Sequence, residues 1–161
     1  MPTYSVTTSN LALKKDVKKI IAEGITKIHS EVTGANTYFA QVLFNETSKD
    51  DHFMGGKLVT DSQIYLNGQI RSGRSKEVKD QLIDKLKKLL ANSLKIDLSN
   101  VWVYILDLEP SQMVEYGQVL PISGQEKIWF ENLPEQLKKK LVDIQYNISE
   151  DPFGWRYKVC D

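Results

Sequence analysis

Proline at position 2, directly after the initiating methionine, is the first residue with chemical potential. Removal of the methionine would expose a secondary amine, and an amino-terminal amine has an ordinary pKa of about 7.7–8.0, so it can give or take a proton near neutral pH. Pro2 also opens an apolar, β-prone run, Pro2 to Thr8, which would carry the amine into the folded body. The second signal is arginine usage: of 21 basic residues only three are arginine, and two of them stand together in Arg71-Ser72-Gly73-Arg74. Guanidinium forks bind carboxylates bidentately, which lysine cannot do. The pair falls where a strand gives way to a helix at Ser75, and a helix N-terminus adds its own preference for an anion. The plain alternative is a solvated basic turn.

Three further polar residues lie on or beside apolar elements. His29 follows Ile25 by four positions near the end of an amphipathic helix, a place where histidines commonly pack or cap. Tyr104 belongs to an apolar strand, where tyrosine is an ordinary sheet residue. Glu115, in Met113-Val114-Glu115-Tyr116-Gly117, is a carboxylate in an uncharged run just beyond that strand. Taken one at a time, each has a structural explanation.

The elements that must position these residues follow from periodicity. Pro2–Thr8 reads as a strand, and Leu11 to Val32 as a helix with Val17, Ile20, Ile21, Ile25 and Ile28 at helical spacing. A break at Gly34 and Asn36 precedes a second strand at Tyr38–Phe44. The same order recurs: strand Ile64–Ile70, helix Ser75–Leu94 with Val78, Leu82, Leu86, Leu89 and Leu90 on one stripe, and strand Val101–Leu108. Matching Phe39–Leu43 with Trp102–Leu106 spaces the two copies by 63 residues. A tandem β-α-β repeat of this kind predicts an α/β domain: a four-stranded sheet with two helices on one face, repeat 1 at about 2–46 and repeat 2 at about 64–109. The other sheet face is left apolar and open, so a further subunit is expected to cover it. Glu109 to Glu126 reads as irregular and Leu133 to about Ile148 as one more helix, completing a single domain over 1–161. The aromatics of Asp151–Trp155 read as packing or subunit contacts.

Composition fits one soluble domain. With 21 acidic and 21 basic residues the net charge is zero, which argues against a nonspecific binder of nucleic acid or other polyanions. At this length a chain buries about 70% of its unfolded surface, enough for a core without disulfides or metal. The single Cys160 makes no internal disulfide, and no cysteine–histidine pattern for zinc is present. No segment approaches the ~20 apolar residues of a membrane span and the start carries no apolar leader, so a cytoplasmic protein is expected.

Taken together, an N-terminal proline on a strand, a doubled β-α-β unit and Gly73-Arg74-Ser75 opening the second helix resemble the tautomerase superfamily. Within it, Met1-Pro2-Thr3-Tyr4, Phe39-Ala40-Gln41-Val42, Trp102-Val103-Tyr104 and Gln112-Met113-Val114-Glu115-Tyr116-Gly117 resemble the cis-3-chloroacrylic acid dehalogenase family, over Met1 to about Pro134. The resemblance implies a catalytic set of Pro2, His29, Arg71, Arg74, Tyr104 and Glu115. Phe39 is implied among the pocket-lining residues that bear on the choice of substrate. It further implies a homotrimer acting on a small unsaturated or 2-oxo carboxylic acid, with no metal or organic cofactor. Two chemistries fit: addition of water to a 2,3-unsaturated acid, which needs Pro2 cationic, and keto–enol tautomerisation of a 2-oxo acid such as phenylpyruvate, which needs it neutral. A cytokine-like binding module on the same fold, with a vestigial pocket, is the reading from outside enzymology.

Overall fold

The computed structural model describes residues 2–145. The chain runs β1 (Thr3–Ser9), α1 (Lys15–Thr33), β2 (Gln41–Thr47), β3 (Phe53–Met54), β4 (Lys57–Leu58), β5 (Gln63–Arg71), α2 (Lys76–Leu94), β6 (Val101–Leu108), β7 (Val114–Glu115), β8 (Gln118–Val119), α3 (Glu126–Glu131) and α4 (Glu135–Asp143). The main sheet has the order β2-β1-β5-β6. Each β-α-β unit contributes a parallel pair, and the two units meet through antiparallel β1 and β5. The expected four-stranded sheet with two helices on one face is therefore present.

Helix periodicity and strand alternation meet in the core. Ile21, Ile25 and Ile28 of α1 and Leu82, Leu86 and Leu90 of α2 pack on Tyr4, Val6, Ile64, Leu66 and Ile70 of the central strands. Burying one such aliphatic side chain contributes about 1.5–3 kcal/mol. The opposite face is open in the single chain: Leu43, Trp102, Tyr104 and Leu106 alternate with the core-facing residues and stay substantially exposed.

The repeat spacing differs from the 63 residues obtained by matching apolar runs. Helix starts at Lys15 and Lys76, left-handed C-caps at Gly34 and Lys95, and the 3-10 turns Thr37–Phe39 and Leu98–Asn100 all lie 61 residues apart. The reason is local: Tyr38 and Phe39 turn in a 3-10 element ahead of the strand, which begins only at Gln41.

The segment after β6 also departs from expectation. Glu109–Glu126 is not irregular throughout, since it holds a 3-10 turn at Pro110–Gln112 and the β7–β8 hairpin. The helix expected from Leu133 to about Ile148 starts at Glu135 and runs to Asp143 as α4, with Pro134, whose fixed φ suits a helix start, at its N-cap; the short helix α3 precedes it in a stretch where no helix was expected. These pieces enclose a second apolar cluster of Tyr38, Phe39, Met113, Leu120, Leu133 and Leu141. The expected contacts of Asp151–Trp155 lie outside the described residues. Among the described residues no helix is long and apolar enough to cross a membrane.

One glycine of the sheet has a specific task. Gly68 stands between Tyr4 and Ile105 in register, and a Cβ there would come 2.5 Å from Tyr4 Cε1 and 2.8 Å from Ile105 Cδ1. The Tyr4 ring lies over the backbone that the missing side chain leaves bare. Gly68→Ala is expected to destabilise the fold by about 1–3 kcal/mol in urea unfolding, since the fully buried Tyr4 ring has no room to move aside, whereas the Ile105 methyl can shift. An unchanged midpoint would show that the ring is free to move.

Candidate active site

Antiparallel pairing of β1 with β5 brings the start of one strand beside the end of the other, so Pro2 and Arg71 share one end of the sheet. Pro2 is buried, and its carbonyl accepts from the Gln41 amide at 3.0 Å. Arg74 follows three residues after Arg71, at the turn into α2, where the Ser75 hydroxyl accepts from the Val78 amide as N-cap.

His29 comes to this end from the last turns of α1 and is 2% exposed. Its Nδ1 lies 2.8 Å from the Tyr4 hydroxyl. Burial raises the Tyr4 phenol well above its usual range, against a smaller downward pull from the Arg74 charge, so the phenol keeps its proton. Nδ1 is the one hydrogen-bond partner of this buried hydroxyl among the described residues, so the arrangement that leaves no hydroxyl proton stranded has the phenol donating to Nδ1 and the neutral imidazole carrying its proton on Nε2. Nε2 is itself buried without a partner. Burial, followed by Arg74, the amino-terminal charge and Arg71, pushes the His29 pKa down to about 3. His29 is thus a neutral donor held beside two guanidinium groups.

Arg71 is 1% exposed. Its Nη1 donates to the Pro121 carbonyl at 2.7 Å and towards the Ile122 carbonyl at 3.4 Å, and its Nη2 pairs with Glu126. Its Nε is buried without a partner. Arg74 is half-buried, with Nη1 3.4 Å from the Arg71 carbonyl oxygen, and burial together with the Arg71 charge lowers its pKa. Two unpartnered buried donors, Arg71 Nε and His29 Nε2, therefore accompany the Arg74 cation. Unpaired buried donors cost free energy unless an acceptor arrives, and a carboxylate is the acceptor with the matching charge.

Glu115 sits on β7 of the short hairpin, partly buried. The hairpin turns through Tyr116 and Gly117, both with positive φ (53° and 75°). The Tyr116 hydroxyl donates to the Tyr38 carbonyl at 2.9 Å, which holds this left-handed tyrosine in place. Burial raises the Glu115 carboxyl above its ordinary range, and the amino-terminal charge and Arg71 pull it back down. Both charges thus act on Glu115, as they do on His29.

Of the other two residues singled out from sequence, Tyr104 stands on the open sheet face and Phe39 in the apolar cluster beside the segment that carries Glu115. Tyr104 is 50% exposed on the open sheet face, against Tyr65 and Trp102. It pairs in register with Asn67, four rows before Arg71, which is about 13 Å along the strand. Phe39 is 3% exposed and packs in the second apolar cluster between Tyr38 and Trp129. Sequence reasoning missed two others. Tyr4 was legible as the next residue on Pro2's side of the strand, whereas Glu126, distant in sequence and in no motif, gave no signal. Among the described residues no three His, Cys, Asp or Glu side chains cluster as a metal ion would need.

A doubled β-α-β unit that gathers Pro2, two arginines and a buried histidine at one sheet end is a fold of the tautomerase type. Residues 1–133 match the family model Tautomerase_3, described as "Putative oxalocrotonate tautomerase enzyme", and the chain belongs to that family of tautomerase-superfamily enzymes. Among solved structures it is similar to N1, a member of the cis-3-chloroacrylic acid dehalogenase family, with a TM-score of 0.84 and 29% identity over 88% of this chain and 99% of that one. Native Ps01740 is similar at a TM-score of 0.66 and 26% identity, over 70% of this chain and 99% of that one. Native fused 4-OT shares the fold at a TM-score of 0.67 and 22% identity, over 73% of this chain and 94% of that one. No match is found among curated proteins.

The buried histidine makes the fold sensitive to acid. The His29 pKa is lower in the folded chain than in the unfolded one, so the unfolded state takes the proton first; the stabilisation is complete above about pH 6.5 and is lost as pH falls toward 3. Going from pH 7 to pH 5 should cost the wild type about 2 kcal/mol through this residue. His29→Asn, which keeps an acceptor for Tyr4, should lack that component in urea unfolding at the two pH values. Identical pH slopes for the two proteins would show that His29 does not carry it.

Proposed function

We propose that this enzyme adds water to a small 2,3-unsaturated monocarboxylic acid, with hydrolytic dehalogenation where C3 bears chlorine. One observation carries the reading: a carboxylate with a raised pKa, Glu115, lies within the fields of the amino-terminal charge and of Arg71. The similarity to N1, a cis-3-chloroacrylic acid dehalogenase family member, supports it.

The substrate carboxylate takes Arg74, Arg71 Nε and His29 Nε2 as donors, which draws electron density toward it and makes C3 electrophilic. Glu115 takes a proton from water, whose oxygen attacks C3 while the π electrons move onto C2 and the carboxylate. The Pro2 ammonium then delivers its proton to C2. With chlorine on C3 the product is a halohydrin, which loses chloride and a proton to give malonate semialdehyde. A raised carboxyl pKa brings Glu115 nearer to the working pH and so suits it to general-base work. The nearby carboxylate also favours the cationic form of the Pro2 amine.

Tyr104 joins this scheme from another copy of the chain. Its ring stands on the open face, four rows from Arg71, so a neighbouring subunit packed on that face could present it to the site. Relatives of the same fold, the fused 4-OT proteins, are described as symmetric and asymmetric trimers. We expect a homotrimer, and sedimentation equilibrium at micromolar concentration should give three times the 18.4 kDa chain mass. A monomer would remove Tyr104 from the site.

The second reading is keto–enol tautomerisation of a 2-oxo acid, favoured by the family description and by the arginine charges, which press Pro2 toward its neutral, basic form. Glu115→Gln separates the two, because it keeps shape and hydrogen bonding but cannot take a proton. General-base activation of water is worth typically about 10²–10⁴-fold, and hydration of cis-3-chloroacrylate or an acetylenic acid should fall by that factor. Ketonisation of phenylenolpyruvate by the same preparation needs no water and should persist. Equal loss of both activities would reduce Glu115 to a structural role, and an undiminished hydration rate would remove it from the mechanism. Neither turnover nor competitive binding of either acid class would favour the binding-module reading.

A further inference from the structure

The arginine pair is not a simple double cation. Arg71 has donors on both sides of its fork engaged before any ligand arrives: Nη1 with the Pro121 and Ile122 carbonyls, Nη2 with the Glu126 carboxylate. Carbonyls leave the charge intact, whereas Glu126 cancels it. Glu126 is itself only partly exposed, at 31% of its side chain, so the pair is shielded and the cancellation is not washed out by solvent. Arg74 carries the remaining cation, and its neighbour Asp107 is already paired with Lys79 at 2.7 Å.

We propose that Glu126 is a specificity residue that sets the site to accept monocarboxylates and to exclude dicarboxylates. The proposal rests on the reading that the arginine end of the sheet binds the substrate carboxylate. Among the described residues the charges acting on this end of the sheet are Arg71 and Arg74 against Glu115 and Glu126, and with the amino-terminal charge that also acts on His29 and Glu115 the balance is one positive charge. One carboxylate neutralises it. A second would leave an unpaired negative charge among partly buried groups, next to two fixed carboxylates. Oxalocrotonate, the acid in the family's description, is a dicarboxylate, so this chain would depart from that description in its choice of substrate.

The test is isothermal titration calorimetry with acrylate and maleate, which share a carbon–carbon double bond and differ in the number of carboxylates. Wild type should bind acrylate at least about tenfold more tightly than maleate, a difference of about 1.4 kcal/mol. Glu126→Gln should shift the affinity ratio toward maleate by at least about tenfold, while Glu126→Asp, which keeps the charge, should retain the wild-type ratio. A general loosening of the fold would weaken both ligands together and would not move the ratio. Binding of both anions with the same ratio in wild type and Glu126→Gln would overturn the proposal alone. A wild-type preference for maleate would overturn it without recourse to any variant, and failure of wild type to bind either anion would overturn the underlying carboxylate-site reading with it.

Discussion

A guanidinium cannot be withdrawn from water without partners, and Arg71 is withdrawn almost completely. Its partners come from Pro121, Ile122 and Glu126, some 50 residues further along the chain. The chain after β6 must therefore fold back over the end of the sheet. That requirement explains why the segment is ordered into a hairpin, two short helices and an apolar cluster of its own. The cluster is anchored to the first repeat by Tyr38 and Phe39, and the hairpin is tied to the same place by the Tyr116 hydroxyl. Glu115 rides on that hairpin. The position of Glu115, the proposed general base, thus depends on the burial of a cation in a different element.

The other half of the site depends on a chain of close contacts in the main core. Gly68 lets the Tyr4 ring lie across the sheet, Tyr4 fixes the tautomer of His29, and His29 presents Nε2 where the arginine charges converge. Nothing in this chain is exposed, so its energetics couple the stability of the fold to the protonation of one imidazole. The price of that arrangement is acid sensitivity, and its return is a neutral hydrogen-bond donor that a nearby ammonium cannot displace by repulsion.

The repeat was readable because both helices carry clean apolar stripes, Ile21-Ile25-Ile28 and Leu82-Leu86-Leu90, and because both strands of each unit alternate. Its spacing was misread by two residues at Tyr38 and Phe39, whose aromatic character suits a strand but whose burial is in the satellite cluster. Helix α4 fell within the stretch read as helical, whereas α3, at six residues, is too short to show a helical period. Pro2, Arg71, Arg74 and His29 were legible as residue types in unusual company. Their grouping at one sheet end was legible only through the topology, since antiparallel packing of the two repeats is what brings Pro2 to Arg71. Glu126 was not legible at all, because an ion pair across 55 residues leaves no local pattern. Tyr104 shows the opposite limit: its residue type and motif pointed to the site, and its strand register places it on the open face of its own chain.

In the proposed mechanism Arg74, Arg71 Nε and His29 Nε2 are donors awaiting one carboxylate, with Glu115 disposed toward the far end of the ligand. A crystal structure of the methionine-processed protein with bound acrylate tests this most directly. The acrylate carboxylate is expected within hydrogen-bond distance of these three donors, with Glu126 still paired with Arg71 and C3 turned toward Glu115. Acrylate bound elsewhere, or bound here with its carboxylate against Glu115 and its vinyl group among the arginines, would contradict it.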